Sequence, residues 1–120
     1  MMRVLLVEDD PAIADIYALK LRMDGFAVSV ADDQPAADTC FWQERPAVVC
    51  LDEWLPSGSG TELAERFASA GALVVLFTND QRSYENPPAS VCRALLKART
   101  SPAQLSAAVS ELVGPTTANA

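Results

Sequence analysis

The sequence predicts a doubly wound α/β domain, a five-stranded parallel sheet with helices on both faces. Three observations carry that prediction. Short apolar runs without polar alternation recur along the chain, as in Val4-Leu5-Leu6-Val7 and Val48-Val49-Cys50-Leu51, and such runs are the mark of strands buried on both sides. Longer stretches with apolar residues at helical spacing separate them. The chain has 120 residues, 50% of them hydrophobic and 21% charged, which is the length and composition of one globular domain with a proper core.

Each element has its own signal. Arg3 to Val7 is the first strand and runs into three carboxylates, Glu8-Asp9-Asp10. Asp10-Pro11 starts a helix, with Asp as N-cap and Pro at the first helical position. Ile13, Ile16, Tyr17 and Leu21 follow at helical spacing, and Gly25 stops the helix. Phe26 to Ala31 is the second strand. Pro35 to about Glu44 is the second helix, with Ala37, Cys40 and Phe41 inward. Val48 to Leu51 is the third strand. Leu55-Pro56-Ser57-Gly58-Ser59-Gly60 is a turn-rich loop, and Ser59 with Glu62 has the spacing of a capping box before a third helix that turns Leu63 and Phe67 inward. Leu73 to Phe77 is the fourth strand and Ala94 to Leu96 a short fifth. Ser101-Pro102-Ala103-Gln104 repeats the capping-box pattern, and Leu105, Ala108, Val109 and Leu112 trace one face of the last helix.

Charge and composition exclude several functions. Nine Lys+Arg against sixteen Asp+Glu give a net charge of −7, so phosphate backbones repel the chain and direct nucleic-acid binding is not expected. The absence of histidine removes His-ligated metals, His-activated nucleophiles and a phosphohistidine donor role. Cys40, Cys50 and Cys92 are odd in number and share no close spacing; they read as small buried thiols of a reducing compartment. The four apolar residues before Glu8 are too few for a signal peptide or a membrane span. The expectation is a cytoplasmic protein with no membrane partner.

In a doubly wound sheet, ligands bind beyond the carboxyl ends of the strands. The residues predicted there are Glu8, Asp9 and Asp10 after the first strand, Asp52 and Glu53 after the third, Thr78 after the fourth and Lys97 after the fifth. Clustered carboxylates repel unless a cation joins them, and a few carboxylates with retained water are how Mg²⁺ is usually held. An Asp can itself attack phosphorus and form an acyl phosphate. A hydroxyl and an ammonium beside it can hold the remaining phosphoryl oxygens. Lys97 is one of two lysines and closes an apolar strand. Singly, each residue has a structural explanation as cap, turn former or solvated terminus; together at the predicted strand ends they point to a site.

At these residues the chain resembles the receiver domain of bacterial two-component response regulators, over about residues 3 to 113. The motifs are Val4 to Pro11, Val49-Cys50-Leu51-Asp52 with Leu55-Pro56 and Gly60 after it, Leu76-Phe77-Thr78, and Leu95-Leu96-Lys97. The resemblance implies a flavodoxin-like strand order, 2-1-3-4-5. It implies that Asp52 accepts a phosphoryl group from the phosphohistidine of a sensor kinase or a histidine phosphotransfer protein. It further implies that Glu8, Asp9, Asp52 and the backbone carbonyl of Trp54 hold Mg²⁺, that Thr78 binds the phosphoryl group, and that Lys97 pairs with one of its oxygens. Asp10 is then a helix cap and Glu53 a rim charge. The implied organisation is a receiver over residues 1–113 with a flexible tail over 114–120, acting without an output domain through an unknown downstream protein. It would catalyse only its own phosphotransfer and dephosphorylation.

The departures from that family's pattern lie in the second half. Ala98 stands where proline usually follows the lysine, so the preceding peptide bond should be trans. Ala94 stands where an aromatic switch residue is usual, and Asn79 where the residue after the threonine is normally very small. Asp80 to Cys92 is short and contains Asn86-Pro87-Pro88, which cannot continue a helix. The fourth helix should be short, displaced or missing, and the output face unusual. Trp54 either covers its loop or, with Asn79, restricts the water that would attack an aspartyl phosphate.

Three alternatives stand beside this reading. A pseudo-receiver would use the same fold as a phosphorylation-independent interaction module; the altered loop and the absent aromatic favour it, and the complete set of Glu8, Asp9, Asp52, Thr78 and Lys97 opposes it. An Asp-nucleophile phosphatase wants a second Asp two residues after the nucleophile, where this chain has Trp54. A flavin protein of the same fold lacks support, because three acids after the first strand would repel the flavin phosphate.

Overall fold

The computed structural model describes residues 1–114; the tail expected over 114–120 lies, but for Gly114, outside the described residues. The elements alternate as predicted: β1 (Arg3–Val7), α1 (Pro11–Met23), β2 (Ala27–Ala31), α2 (Gln34–Glu44), β3 (Val48–Asp52), a two-stranded hairpin β4 (Trp54–Leu55) and β5 (Gly58–Ser59), α3 (Thr61–Ser69), β6 (Leu73–Thr78), α4 (Gln81–Glu85), β7 (Arg93–Leu96) and α5 (Pro102–Val113). The main sheet is parallel, in the order β2-β1-β3-β6-β7. With the small hairpin set aside, this is the expected 2-1-3-4-5.

Alternation along the strands divides the core in two. Leu5, Val7, Val49, Leu51, Val74 and Leu76 face α2 and α3, where they meet Ala37, Phe41, Leu63 and Phe67. Val4, Leu6, Val48, Cys50 and Val75 face α1 and α5, where they meet Ala14, Ala18, Leu21, Leu105 and Val109. All five residues of β3 are buried, as the central strand of such a sheet must be. Burial pushes the Cys50 thiol up to about 12, so it packs as a small hydrophobe. Cys92 corrects the buried-thiol expectation: it is exposed.

The caps follow the sequence with one exception. Asp10 accepts hydrogen bonds from the amides of Ala12 and Ile13, and Ser101 with Gln104 forms the reciprocal capping box. Ser59 does not form one with Glu62. The α3 N-cap is Gly60, and the Ser59 hydroxyl accepts the Thr61 amide instead. Gly60 is pressed against the end of β3. A Cβ there would lie 2.5 Å from the Asp52 carbonyl oxygen and 3.3 Å from that of Glu53, so only glycine fits. On α1 the inward face is Ala14, Ala18 and Leu21, while Ile16 is exposed.

The fourth helix is short, as expected. It has five residues, none of them buried, and is capped by the Asp80 side chain. Every peptide bond of the described residues is trans, including that between Lys97 and Ala98. Among the described residues, no helix is long and apolar enough to cross a membrane.

Candidate functional site

The parallel register fixes the site. Val7 pairs with Leu51, Asp52 with Phe77, and Phe77 with Leu95. Glu8 and Asp52 therefore leave the sheet side by side, and Thr78 and Lys97 follow one and two residues beyond the same level. Glu8 is anchored by its amide to the Ala31 carbonyl, 2.9 Å, and its Oε2 accepts the Asp10 amide at 3.1 Å.

Glu8, Asp9 and Asp52 each present a carboxylate oxygen within 4.8 Å of the others. Glu8 and Asp52 are 2% and 7% exposed, and Asp9 lies open to solvent. Lys97 Nζ lies 2.9 Å from Asp52 Oδ2 and 2.8 Å from Glu8 Oε1. Lys97 therefore bridges the two acids, hydrogen-bonded to Asp52 and ion-paired with Glu8. Burial raises the Glu8 carboxyl above its ordinary value, and the Asp52 charge adds to this, against the opposing pull of Lys97 and the Asp10 amide. Burial also works against the Lys97 ammonium, but the Glu8 and Asp52 carboxylates outweigh it and hold the lysine above its usual range.

Three carboxylates against one ammonium leave negative charge in excess, which a divalent cation would offset. The oxygen-only donor set of Glu8, Asp9 and Asp52 fits a hard ion such as Mg²⁺. The Lys97 ammonium also faces an aromatic pair that the sequence did not single out. Its Nζ lies 5.8 Å from the Phe77 ring centroid, and Tyr17 meets Phe77 edge-on at 5.1 Å. The Tyr17 hydroxyl donates to the Thr100 carbonyl, tying α1 to the turn after β7.

The remaining predicted residues fall less simply. Thr78 is buried at the end of β6, but its hydroxyl donates to Glu53 Oε1 at 2.6 Å and accepts the Asp80 amide at 2.9 Å. Glu53 is therefore no rim charge. It is 6% exposed, and its Oε2 accepts the Ser83 hydroxyl of α4 at 2.6 Å. The charge is buried because two hydroxyls satisfy it. Neither the burial of Glu53 nor its bond to Ser83 was legible: the acid follows a strand end, where exposure is the rule, and the serine sits in a polar stretch without periodicity. The Trp54 side chain is 64% exposed, and its backbone belongs to the β4–β5 hairpin. Asn79 accepts the Ala98 amide at 2.9 Å, bridging the ends of β6 and β7 where proline is absent.

Comparison with known proteins agrees with this geometry. The sensory transduction protein RegX3 of Mycobacterium tuberculosis is 35% identical over 83 residues, 69% of this chain and 37% of the relative; the chain thus spans little more than a third of that protein's length. The receiver domain protein of Methanospirillum hungatei, described as CheY-like, superposes with a TM-score of 0.83 at 25% identity, covering 93% of each chain. The BeF3-activated N-terminal receiver domain of RstA from Klebsiella pneumoniae gives a TM-score of 0.77 at 25% identity, covering 89% of this chain and 94% of that one. The sequence profile of the response regulator receiver domain matches residues 4–91, a span that contains Glu8, Asp9, Asp52 and Thr78, and the chain belongs to that family.

Proposed function

We propose that this chain is a phosphorylatable receiver in which Asp52 takes a phosphoryl group from a phosphohistidine of a sensor kinase or a histidine phosphotransfer protein. The observation that carries this reading is the convergence of Glu8, Asp9 and Asp52 within 4.8 Å, with Lys97 2.9 Å from Asp52. In the transfer one P–N bond breaks and one P–O bond forms at an Asp52 oxygen, so the protein's task is positioning and charge neutralisation. Glu8, Asp9, Asp52 and the Trp54 carbonyl are the groups that would hold Mg²⁺. When bound, that ion neutralises the carboxylates and the phosphoryl oxygens. Lys97 gives up its contact with Asp52 to pair with a phosphoryl oxygen, and Thr78 donates its hydroxyl proton to another. Beyond its own phosphorylation and dephosphorylation the domain turns over no substrate. It signals by binding a downstream protein, in the cytoplasm and without contacting nucleic acid itself. The beryllofluoride-activated state of the Klebsiella relative supports the reading by analogy.

One observation favours the pseudo-receiver alternative: the Thr78 hydroxyl is already engaged by Glu53. A Mg²⁺ titration followed by tryptophan fluorescence separates the two. The receiver reading expects saturable binding that is lost in Asp52→Asn, and Mg²⁺-dependent uptake of phosphate from acetyl phosphate. A wild-type chain that binds no Mg²⁺ contradicts it.

A further inference from the structure

The buried chain of Thr78, Glu53 and Ser83 has no part in the acidic cluster, yet it joins that site to α4. A threonine hydroxyl has a single proton to donate. Here it goes to Glu53 Oε1 at 2.6 Å, so Thr78 cannot donate to a phosphoryl oxygen on Asp52 at the same time. The other carboxylate oxygen of Glu53 holds Ser83 at 2.6 Å. The Ser83 hydroxyl also lies 3.1 Å from Asp80 Oδ2, and Asp80 in turn donates its amide to Thr78. The polar ring therefore closes on itself and leaves no free donor. The main-chain position of Glu53 is fixed from both sides, by its amide to the Phe77 carbonyl at 3.3 Å and by the Gly60 amide to its own carbonyl at 2.6 Å. The α4 helix has no buried residue of its own, so the Ser83–Glu53 bond is a principal tie between it and the strand ends.

We propose that Glu53 is a positioning residue that acts as a latch, competing with the phosphoryl group for the Thr78 hydroxyl while tethering α4 through Ser83. The inference rests on the reading of Asp52 as phosphoacceptor. When the phosphoryl group is in place, the Thr78 proton turns to it and the Thr78–Glu53 bond breaks. Glu53 is then a buried carboxylate short of a donor, which is costly, and it turns outward. The Ser83 tie breaks with it and α4 loosens. This supplies a route from Asp52 to α4 in a chain whose position 94 is alanine and so has no aromatic side chain there to move.

Two readouts on the full chain test the latch: the rate of phosphoryl uptake from acetyl phosphate with Mg²⁺, and hydrogen exchange of the α4 amides before and after uptake. In the wild type, uptake speeds α4 exchange about tenfold, the scale of losing one hydrogen bond to a charged group. Glu53→Ala exchanges fast from the start, shows no further change on uptake, and takes up phosphate about tenfold faster because Thr78 has no carboxylate to leave. Glu53→Gln restores near wild-type α4 exchange, since its amide can still reach Ser83, and its uptake rate falls between the two. Ser83→Ala separates the two functions and guards against a folding defect at position 53: its α4 exchange is fast, but its uptake stays within about twofold of wild type. Wild-type uptake with α4 exchange unchanged overturns the latch, as does a Glu53→Ala chain that takes up phosphate no faster. A wild-type chain that takes up no phosphoryl group overturns the functional reading itself, and the latch with it.

Discussion

The acidic edge and the α4–β7 segment lie next to each other and are held by different forces. Glu8 and Asp52 are carried by β1 and β3, whose residues from Val4 to Val7 and from Val48 to Asp52 are all buried. Their positions follow from strand register and core packing, and a fully packed core permits little displacement. The segment from Gln81 to Leu96 has one buried residue, Val91. The four residues of β7 are only half-buried, and α4, which buries no residue of its own, is tied to the strand ends by the Ser83–Glu53 bond. A single hydrogen bond to a charged group contributes roughly 1.5–3 kcal/mol, and an element held by few such ties opens locally more easily than a packed core. The acids sit on the densely packed side, and Lys97, which reaches them, follows directly after β7 on the loosely packed one.

The sharpest way to break that contrast is to truncate one apolar side chain in each region. Leu51→Ala, in the middle of the buried edge, should cost roughly 2–5 kcal/mol in urea unfolding. Tyr84→Ala in α4, where the ring is 39% exposed, should cost less than about 1 kcal/mol. Similar losses at the two positions would remove the distinction.

Next in size is Lys97→Met. It leaves Glu8 and Asp52 facing each other without their ammonium. A buried pair broken in this way loses about 3–5 kcal/mol, reduced here to about 1–3 because the lysine side chain keeps 17% of its exposure. Added Mg²⁺ should then raise the melting temperature of the variant more than that of the wild type. Equal shifts would mean that the lysine does not offset the acids.

A smaller and more local effect is expected at the α4 cap. Asp80→Ala removes the acceptor of the Arg82 amide and should weaken the helix by about 0.5–2 kcal/mol. Exchange of the α4 amides should speed while that of β3 amides stays unchanged. A uniform rise across both would show one cooperative unit instead of two.

The smallest effect comes from the well-packed side and serves as its control. Asp24, at the end of α1, is held below its ordinary value first by the Ser106 hydroxyl of α5 and then by Lys20. A depressed carboxyl binds its proton less readily in the folded state than in the unfolded chain. Its contribution is therefore full above the ordinary carboxylate range and is lost as pH falls through and below it. Ser106→Ala should narrow the difference between urea midpoints measured near neutrality and at about pH 3. An unchanged difference would place the acid sensitivity elsewhere.

How much of this was legible in the sequence follows the same division. Continuous apolar runs located β1, β3 and β6, and the positions just after them gave Glu8, Asp9, Asp52 and Thr78, because register in a doubly buried strand leaves one arrangement. Lys97 was legible because a charge that closes an apolar run has few places to go. Pro87-Pro88 announced the short α4. The close approach of Gly60 to the Asp52 and Glu53 carbonyls was hidden, since local spacing does not encode it. Glu53 was misread for the same reason: its burial is made possible by hydroxyls 25 and 30 residues away in sequence. Local pattern yields what one strand or helix decides for itself, and long-range polar satisfaction lies beyond it.

The central claim is that Asp52 accepts a phosphoryl group, and intact-mass spectrometry tests it most directly. The chain is incubated with acetyl phosphate, with and without Mg²⁺, beside an Asp52→Ala control. The account predicts one added phosphoryl group, about 80 Da, that requires Mg²⁺ and is absent from the control. No mass gain in the wild type with Mg²⁺ present, or an equal gain in Asp52→Ala, would contradict it.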